Sequence, residues 1–166
     1  MSEEIDIRRY RPEDHEGLIA LVLPIQRDEF GLAITAAEQP DLAVPDYFKG
    51  GASGFWIASD GARVVGSIGL LDIGGGMAAL RKMFVHTDYR GKSHGLAQRL
   101  LETLLAEARA GGIVEVLLGT TERFLAAHRF YEKNGFTALG ADALPERFPR
   151  MRQDNRFYRR RLADRA

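Results

Sequence analysis

Ala127-His128-Arg129-Phe130-Tyr131-Glu132-Lys133-Asn134-Gly135-Phe136 reads as the end of a helix and its exit into a strand. Phe124, Ala127 and Tyr131 fall on one face of a helix running from Thr121, its predicted cap, to the stop signal Asn134-Gly135. Before it, Val114–Gly119 is a buried-strand run. Earlier still, Leu96, Leu100, Leu101, Leu104, Leu105 and Ala108 recur at helical spacing until Gly111-Gly112. That helix is entered from a strand ending at Val85 through Asp88-Tyr89-Arg90-Gly91-Lys92-Ser93-His94-Gly95.

This glycine-bearing, cationic turn has a definite chemistry. Backbone N–H groups at a helix start are unpaired and carry partial positive charge, so together they suit a phosphate. Small residues let the backbone approach, and Arg90 and Lys92 add charge. The turn is not a P-loop, because no Gly-Lys-Ser/Thr sits at the required distance, and it lacks the G-x-G-x-x-G spacing of a dinucleotide fingerprint. Taken alone it is as compatible with a plain surface turn as with a phosphate site.

The N-terminal half completes the pattern. Ile5 and Ile7 alternate with Asp6 and Arg8 as a short strand, and Pro12 suits the first turn of a helix burying Leu18, Leu21, Val22 and Ile25, bent or ended by Pro24. Thr35 and Glu38 have capping-box spacing for a second short helix limited by Pro40 and Pro45. Phe55–Ser59 and Arg63–Leu71 flank Asp60-Gly61, a hairpin signal; Gly74-Gly75-Gly76 turns into Ala78–Val85. Phe136–Leu139 and Arg156–Arg161 are the last strands. Hairpin-linked strands followed by crossover helices imply an α/β (α+β) fold, a mixed sheet of about seven strands with helices packed on it.

Composition narrows the function classes. The chain has 166 residues, the length of one domain spanning 1–166, and 23 Lys+Arg against 23 Asp+Glu. That balance excludes a broadly basic nucleic-acid binder; Arg159-Arg160-Arg161 is diluted by Asp154 and Asp164 and reads as a solvated strand end. The absence of cysteine excludes disulfides, Cys-ligated zinc and a cysteine nucleophile. The four histidines show no metal-ligand spacing, so no metal is expected. No apolar run spans a bilayer, so no membrane is expected and a cytoplasmic address follows by default. A homodimer is compatible with the sequence.

Together, the two motifs resemble the GCN5-related N-acetyltransferase (GNAT) superfamily. Its pyrophosphate motif, Arg/Gln-x-x-Gly-x-Gly/Ala, is matched by Arg90-Gly91-Lys92-Ser93-His94-Gly95, and its later motif, Ala-x-x-(Leu/Phe)-Tyr-x-x-x-Gly-Phe, by Ala127 through Phe136. The resemblance follows the element order of nearly the whole chain and is specific over 85–136. It departs twice: Ser93 replaces the usual middle glycine, and Phe124 stands where many members have Asn or Ser, with Thr120 or Thr121 as substitutes for a lost polar contact.

The resemblance implies a mostly antiparallel sheet with helices on both faces, whose fourth and fifth strands splay to hold acetyl-CoA. It implies direct transfer of acetyl to an amine of a small molecule. It assigns the pantetheine arm to the backbone of Phe84 and Val85 on one strand and Leu118, Gly119 and Thr120 on the other. The pyrophosphate falls to the amides from Gly91 through Lys92, Ser93, His94 and Gly95 to Leu96, with Arg90 beside them. Tyr131, touching the cofactor, becomes the acid that protonates the departing thiolate, since a phenol with pKa ~10 keeps its proton at neutral pH. His128, three residues earlier, is a neighbour open to a relay or to solvation.

The general base is not assignable. The fourth strand, Leu80-Arg81-Lys82-Met83, offers no carboxylate, leaving Glu29, Glu38 and Asp72 as candidates by rough location. The acceptor pocket is expected from Gln26–Tyr47, which carries Asp28, Glu29, Glu38 and Asp41, and Ala143–Asn155, which carries Arg147, Arg150 and Arg152; an amine that also bears a carboxylate suits both. Acetylation of a protein or aminoacyl group, and a non-catalytic acyl-CoA sensor, are the competing readings.

Overall fold

The computed structural model describes residues 5–91, 95–122 and 124–162. β1 (Asp6–Arg9) leads through Pro12 into α1 (His15–Pro24). Pro24 has no N–H to extend the α ladder, and the chain widens into a π turn over Ile25–Glu29, closed by Phe30 N donating to Ile25 O at 3.1 Å. The expected capping box forms: Thr35 N donates to Glu38 Oε1 at 2.9 Å and Glu38 N to Thr35 Oγ1 at 3.3 Å. It opens only a single 3-10 turn, Ala36–Glu38, before Pro40 begins the next turn and α2 (Val44–Tyr47) follows.

β2 (Gly54–Asp60), β3 (Arg63–Gly74) and β4 (Met77–Val85) form a meander. α3 (Leu96–Ala110) crosses over to β5 (Glu115–Thr120), and α4 (Leu125–Lys133) crosses to β6 (Thr137–Leu139), which pairs with β7 (Arg156–Arg161). The seven strands lie in the order β1-β2-β3-β4-β5-β7-β6. Every pairing is antiparallel except β4 with β5.

β2 is buried on both faces, so its alternate residues separate two cores. Trp56 and Ala58 join the α3 and α4 side with Leu100, Leu104, Tyr131 and Phe136. Phe55 and Ile57 join the α1 and α2 side with Leu18, Val22, Val44 and Phe48. All six apolar positions read from the α3 spacing are buried. Each such large side chain contributes about 1.5–3 kcal/mol on leaving water, which fixes both helices that frame the site. Among the described residues no helix is long and apolar enough to cross a membrane.

Two local expectations shift. Asp60 belongs to β2, pairing with Arg63, and the hairpin loop is Gly61-Ala62. Gly61 supplies the positive φ (63°) at the first loop position, while the Asp60 carboxylate accepts the Tyr89 hydroxyl and stays in the strand. Thr121 does not cap α4. Asn155 N donates to Thr120 O and Glu122 N to Asn155 Oδ1, each at 2.9 Å, which turns the chain after β5 and delays the helix to Leu125.

Candidate functional site

β4 and β5 are hydrogen-bonded neighbours only over Met77–Ala79 and Glu115–Leu117. Past that point β5 follows β7 through Leu118, Gly119 and Thr120, while β4 follows β3. A β-bulge parts them: from Ser67 to Gly69, β3 advances two residues while β4 runs three, from Phe84 to Arg81. Lys82 sits in the bulge at φ 53°, the one non-glycine positive φ among the described residues. Ser67, fully buried, donates from Oγ to Lys82 O at 2.7 Å.

The parted strands leave a cleft with a cavity volume of about 100 Å³. Phe84, Leu118, Gly119, Thr120 and Tyr131, all named from the sequence, share its lining. Val85 pairs with Gly66, and its carbonyl accepts Arg90 Nε at 2.9 Å. The far wall is Gln26 from the π turn, held by reciprocal 2.9 Å bonds with Gln39. Phe124 also lines the cleft and stacks on Phe30 with ring centroids 4.1 Å apart.

The floor is charged. Asp41, with no exposed side-chain surface, receives Arg81 Nε at 2.9 Å and Lys82 Nζ at 3.0 Å on Oδ2. Burial opposes its charge, yet Lys82 and Arg81 hold its carboxyl below the usual carboxylate range. Burial pushes the Lys82 ammonium down, with Asp41 opposing. Arg81 also donates to Pro149 O at 2.6 Å, pinning the loop before β7. Across the cleft stands Asp154, whose Oδ2 accepts Met151 N at 2.9 Å. Burial pushes its carboxyl above the usual range, against Met151 N–H and the cations Arg81, Lys82 and Arg150.

Tyr131 is 7% exposed, and burial pushes its phenol far above the ordinary value, so it keeps its proton. Its hydroxyl points to Met83 Sδ at 3.8 Å, a weak partner. His128 is buried, with its ring Nε2 2.8 Å from Thr121 O, so it braces the turn after β5 rather than lying solvated.

At the other end, α3 is preceded by Gly95, in the left-handed region (φ 57°), which gives it no side-chain cap. Gly95 N donates to Gly91 O at 3.3 Å and Arg99 N to Gly95 O at 3.0 Å, and the start of a helix carries the partial positive charge of its first N–H groups. A Cβ at Gly91 or Gly95 meets no atom of the described residues within 4 Å, so on their side the approach is open. Arg90 reaches back to Glu29, donating to both carboxylate oxygens at 2.7 and 3.1 Å. Lys92, Ser93 and His94 lie outside the described residues.

Residues 19–136 match the model of the acetyltransferase (GNAT) family. The chain belongs to that family. An acetyltransferase of the GNAT family from Staphylococcus aureus is 35% identical and superposes with a TM-score of 0.91, covering 96% of this chain and 100% of that one. N-acetyltransferase 8B of Rattus norvegicus is 33% identical over 57% of this chain and 44% of its own length. N-acetylaspartate synthetase of Xenopus tropicalis is 36% identical over 57% of this chain and 34% of its own length. This GNAT chain therefore spans less than half the length of those two relatives.

The three carboxylates considered as bases are engaged elsewhere. Glu29 pairs with Arg90, Glu38 closes the Thr35 capping box, and Asp72 accepts from Ala52 N at 2.8 Å and Gly74 N at 2.9 Å. The sequence reading missed Lys82 and Asp154 as site residues, and it named Asp41 only among the acidic residues of the acceptor segment. Asp41 lies 40 positions before its partner Arg81, and no local spacing signals that pairing.

Proposed function

We propose that this chain transfers the acetyl group of acetyl-CoA to a primary amine of a small molecule, by direct attack of the amine on the thioester. The observation that carries the reading is the parting of β4 from β5 beyond Ala79 and Leu117. Main-chain groups left without a facing strand suit the extended amide chain of pantetheine, along Phe84 and Val85 on one side and Leu118, Gly119 and Thr120 on the other. The uncapped first turn of α3, reached through Gly91 and Gly95, suits the pyrophosphate, and Arg90 adds charge.

Attack of the amine lone pair on the carbonyl carbon forms the C–N bond, and collapse breaks the C–S bond. Tyr131, protonated and lining the same cleft, then gives its proton to the thiolate. Holding amine and thioester together supplies much of the remaining rate.

A second cavity of about 450 Å³ shares Arg81, Met151 and Gln153 with the cleft and adds Arg150 and Arg152. Those arginines suit an acceptor that carries a carboxylate beside its amine. The name of the Xenopus relative, N-acetylaspartate synthetase, supports an amino-acid-like acceptor.

A thiol-release screen of acetyl-CoA against amino acids, polyamines and peptides tests the reading. Turnover with small amines supports it. Turnover confined to peptides gives the site to a protein acetyltransferase. Acetyl-CoA binding without turnover on any amine makes the chain a sensor.

A further inference from the structure

We infer that Asp154 is the base that takes the proton from the incoming amine, an inference that rests on the acetyltransferase reading above. Two carboxylates line the cleft among the described residues, Asp41 and Asp154. Asp41 is held by Arg81 and Lys82. Asp154 gives Oδ2 to Met151 N, and its Oδ1 has no hydrogen-bond partner among the described residues.

The position of Asp154 is built. Asp154 N donates to Met151 O at 3.1 Å while Met151 N donates to Oδ2, so the turn is closed from both ends. The carboxylate lies against β5 where residue 119 has no side chain: a Cβ on Gly119 would stand 2.6 Å from Oδ2. It therefore occupies the edge of the opened strand that the reading assigns to the thioester arm.

The surrounding charges favour the step. Lys82 and Arg81 from β4 and Arg150 from the loop before β7 face Asp154, and Asp41 and Tyr131 complete the titratable groups of the cleft wall. An ammonium entering beside two buried cations loses its proton more readily than in water. Asp154 attracts that ammonium and, with its carboxyl raised by burial, is a stronger base than an exposed aspartate. The nitrogen sheds two protons in all. The first passes to Asp154 before attack and then to solvent. The second leaves the nitrogen only as the tetrahedral intermediate collapses and the C–S bond breaks, and it restores the Tyr131 phenol, which has protonated the departing thiolate.

Asp154→Asn keeps an oxygen for Met151 N–H and removes the base. With the best amine from the screen, kcat/KM at neutral pH should fall by about 10²–10⁴-fold, with acetyl-CoA affinity within twofold by calorimetry. The parent should show an acid limb in kcat/KM above the ordinary aspartate range, unmoved between amines of different pKa, and absent in the variant. Asp154→Ala should regain activity with added formate, a response that a structural role would not give. A parent-like kcat/KM and limb in Asp154→Asn overturn the inference alone. A parent that releases no thiol with any amine overturns the acetyltransferase reading, and this inference with it.

Discussion

Ser67 Oγ donates to the carbonyl oxygen of Lys82 at 2.7 Å, from the middle of β3 into the bulge of β4. The bond joins the backbone to the chemistry. Lys82 adopts a left-handed conformation that side chains disfavour, at a cost on the order of 1–3 kcal/mol, and the bulge accompanies the separation of β4 from β5. Ser67→Ala leaves the Lys82 carbonyl without that partner. A loss of about 1–3 kcal/mol is expected, read as a lower midpoint in urea with unchanged slope. Turnover should fall with it, because the strand gap loses its support. An unchanged midpoint would show that the bulge needs no such brace.

The missing side chain at residue 119 makes a second, sharper prediction. A methyl there would stand 2.6 Å from Asp154 Oδ2 and 2.9 Å from its Cγ. Gly119 has no positive φ, so alanine costs little in the backbone. Gly119→Ala should therefore act through Asp154, lowering kcat/KM by roughly tenfold or more, as small misplacements of reacting groups do. In an Asp154→Asn background it should add little, since the two share one target. Additive losses in the double variant would disconnect Gly119 from Asp154.

Glu29 offers a test of the opposite kind. Its pair with Arg90 is partly exposed on both sides, so it contributes only about 0–1 kcal/mol. Glu29→Gln should leave the melting temperature nearly unchanged and kcat within about threefold, since Asp154 and not Glu29 takes the proton. Acetyl-CoA affinity should hold or rise, because Arg90 no longer divides its charge between Glu29 and a pyrophosphate. Loss of turnover with affinity intact would return the base to Glu29.

These residues also mark the limit of what the chain discloses as a string. Strand alternation and α3 spacing are local, and they survive because the faces they predict are the faces buried. The Gly91 and Gly95 turn and Ala127–Phe136 are likewise local backbone chemistry. The bulge is not. It falls on Lys82, with no glycine to announce it, and depends on Ser67 fifteen positions away. Asp154 reads from sequence only as a charge diluting the arginine-rich end. Its role emerges when the loop before β7 folds across Gly119, a contact no spacing rule contains. Thr121 misleads for a similar reason: a good capping residue is overridden by Asn155 bonding on both sides of it.

Tyr131 supplies the mechanistic prediction. Its hydroxyl has Met83 Sδ at 3.8 Å, whereas its ring packs with Phe136 and Tyr158 at centroid distances of 5.5 and 6.1 Å. Tyr131→Phe keeps the ring contacts and removes the weak one, so the melting temperature should stay within a few degrees. The proton donor is lost, so kcat should fall at least tenfold with acetyl-CoA affinity little changed, the pattern of an interaction made in the transition state. Because burial holds the phenol protonated, no acid limb below neutral pH should belong to Tyr131. Near-parental kcat would remove the general-acid role.

The last prediction concerns stability, and its sign separates function from scaffolding at Asp154. Burial raises its folded-state carboxyl above the unfolded value. A carboxyl shifted upward is favoured in its protonated form by the fold, so its stabilising share is complete below the unfolded pKa. That share is lost as pH rises through the folded pKa. At neutral pH the native state therefore holds an ionised carboxylate that burial disfavours. Asp154→Asn is neutral at every pH and keeps an acceptor for Met151 N–H. Its melting temperature should equal or exceed the parent's at pH 7, and the difference should shrink as pH falls through the raised folded-state pKa toward the ordinary carboxylate value. Asp41 supplies the contrast: its carboxyl is shifted down by Lys82 and Arg81, so Asp41→Asn should destabilise at pH 7 and lose that effect only in stronger acid. A strained charge retained where asparagine is more stable is the mark of a group kept for its chemistry. Thermal melts of the parent and both variants from pH 4 to 8 read the two signs directly, and a melting temperature for Asp154→Asn well below the parent's at pH 7 would make Asp154 a structural ion.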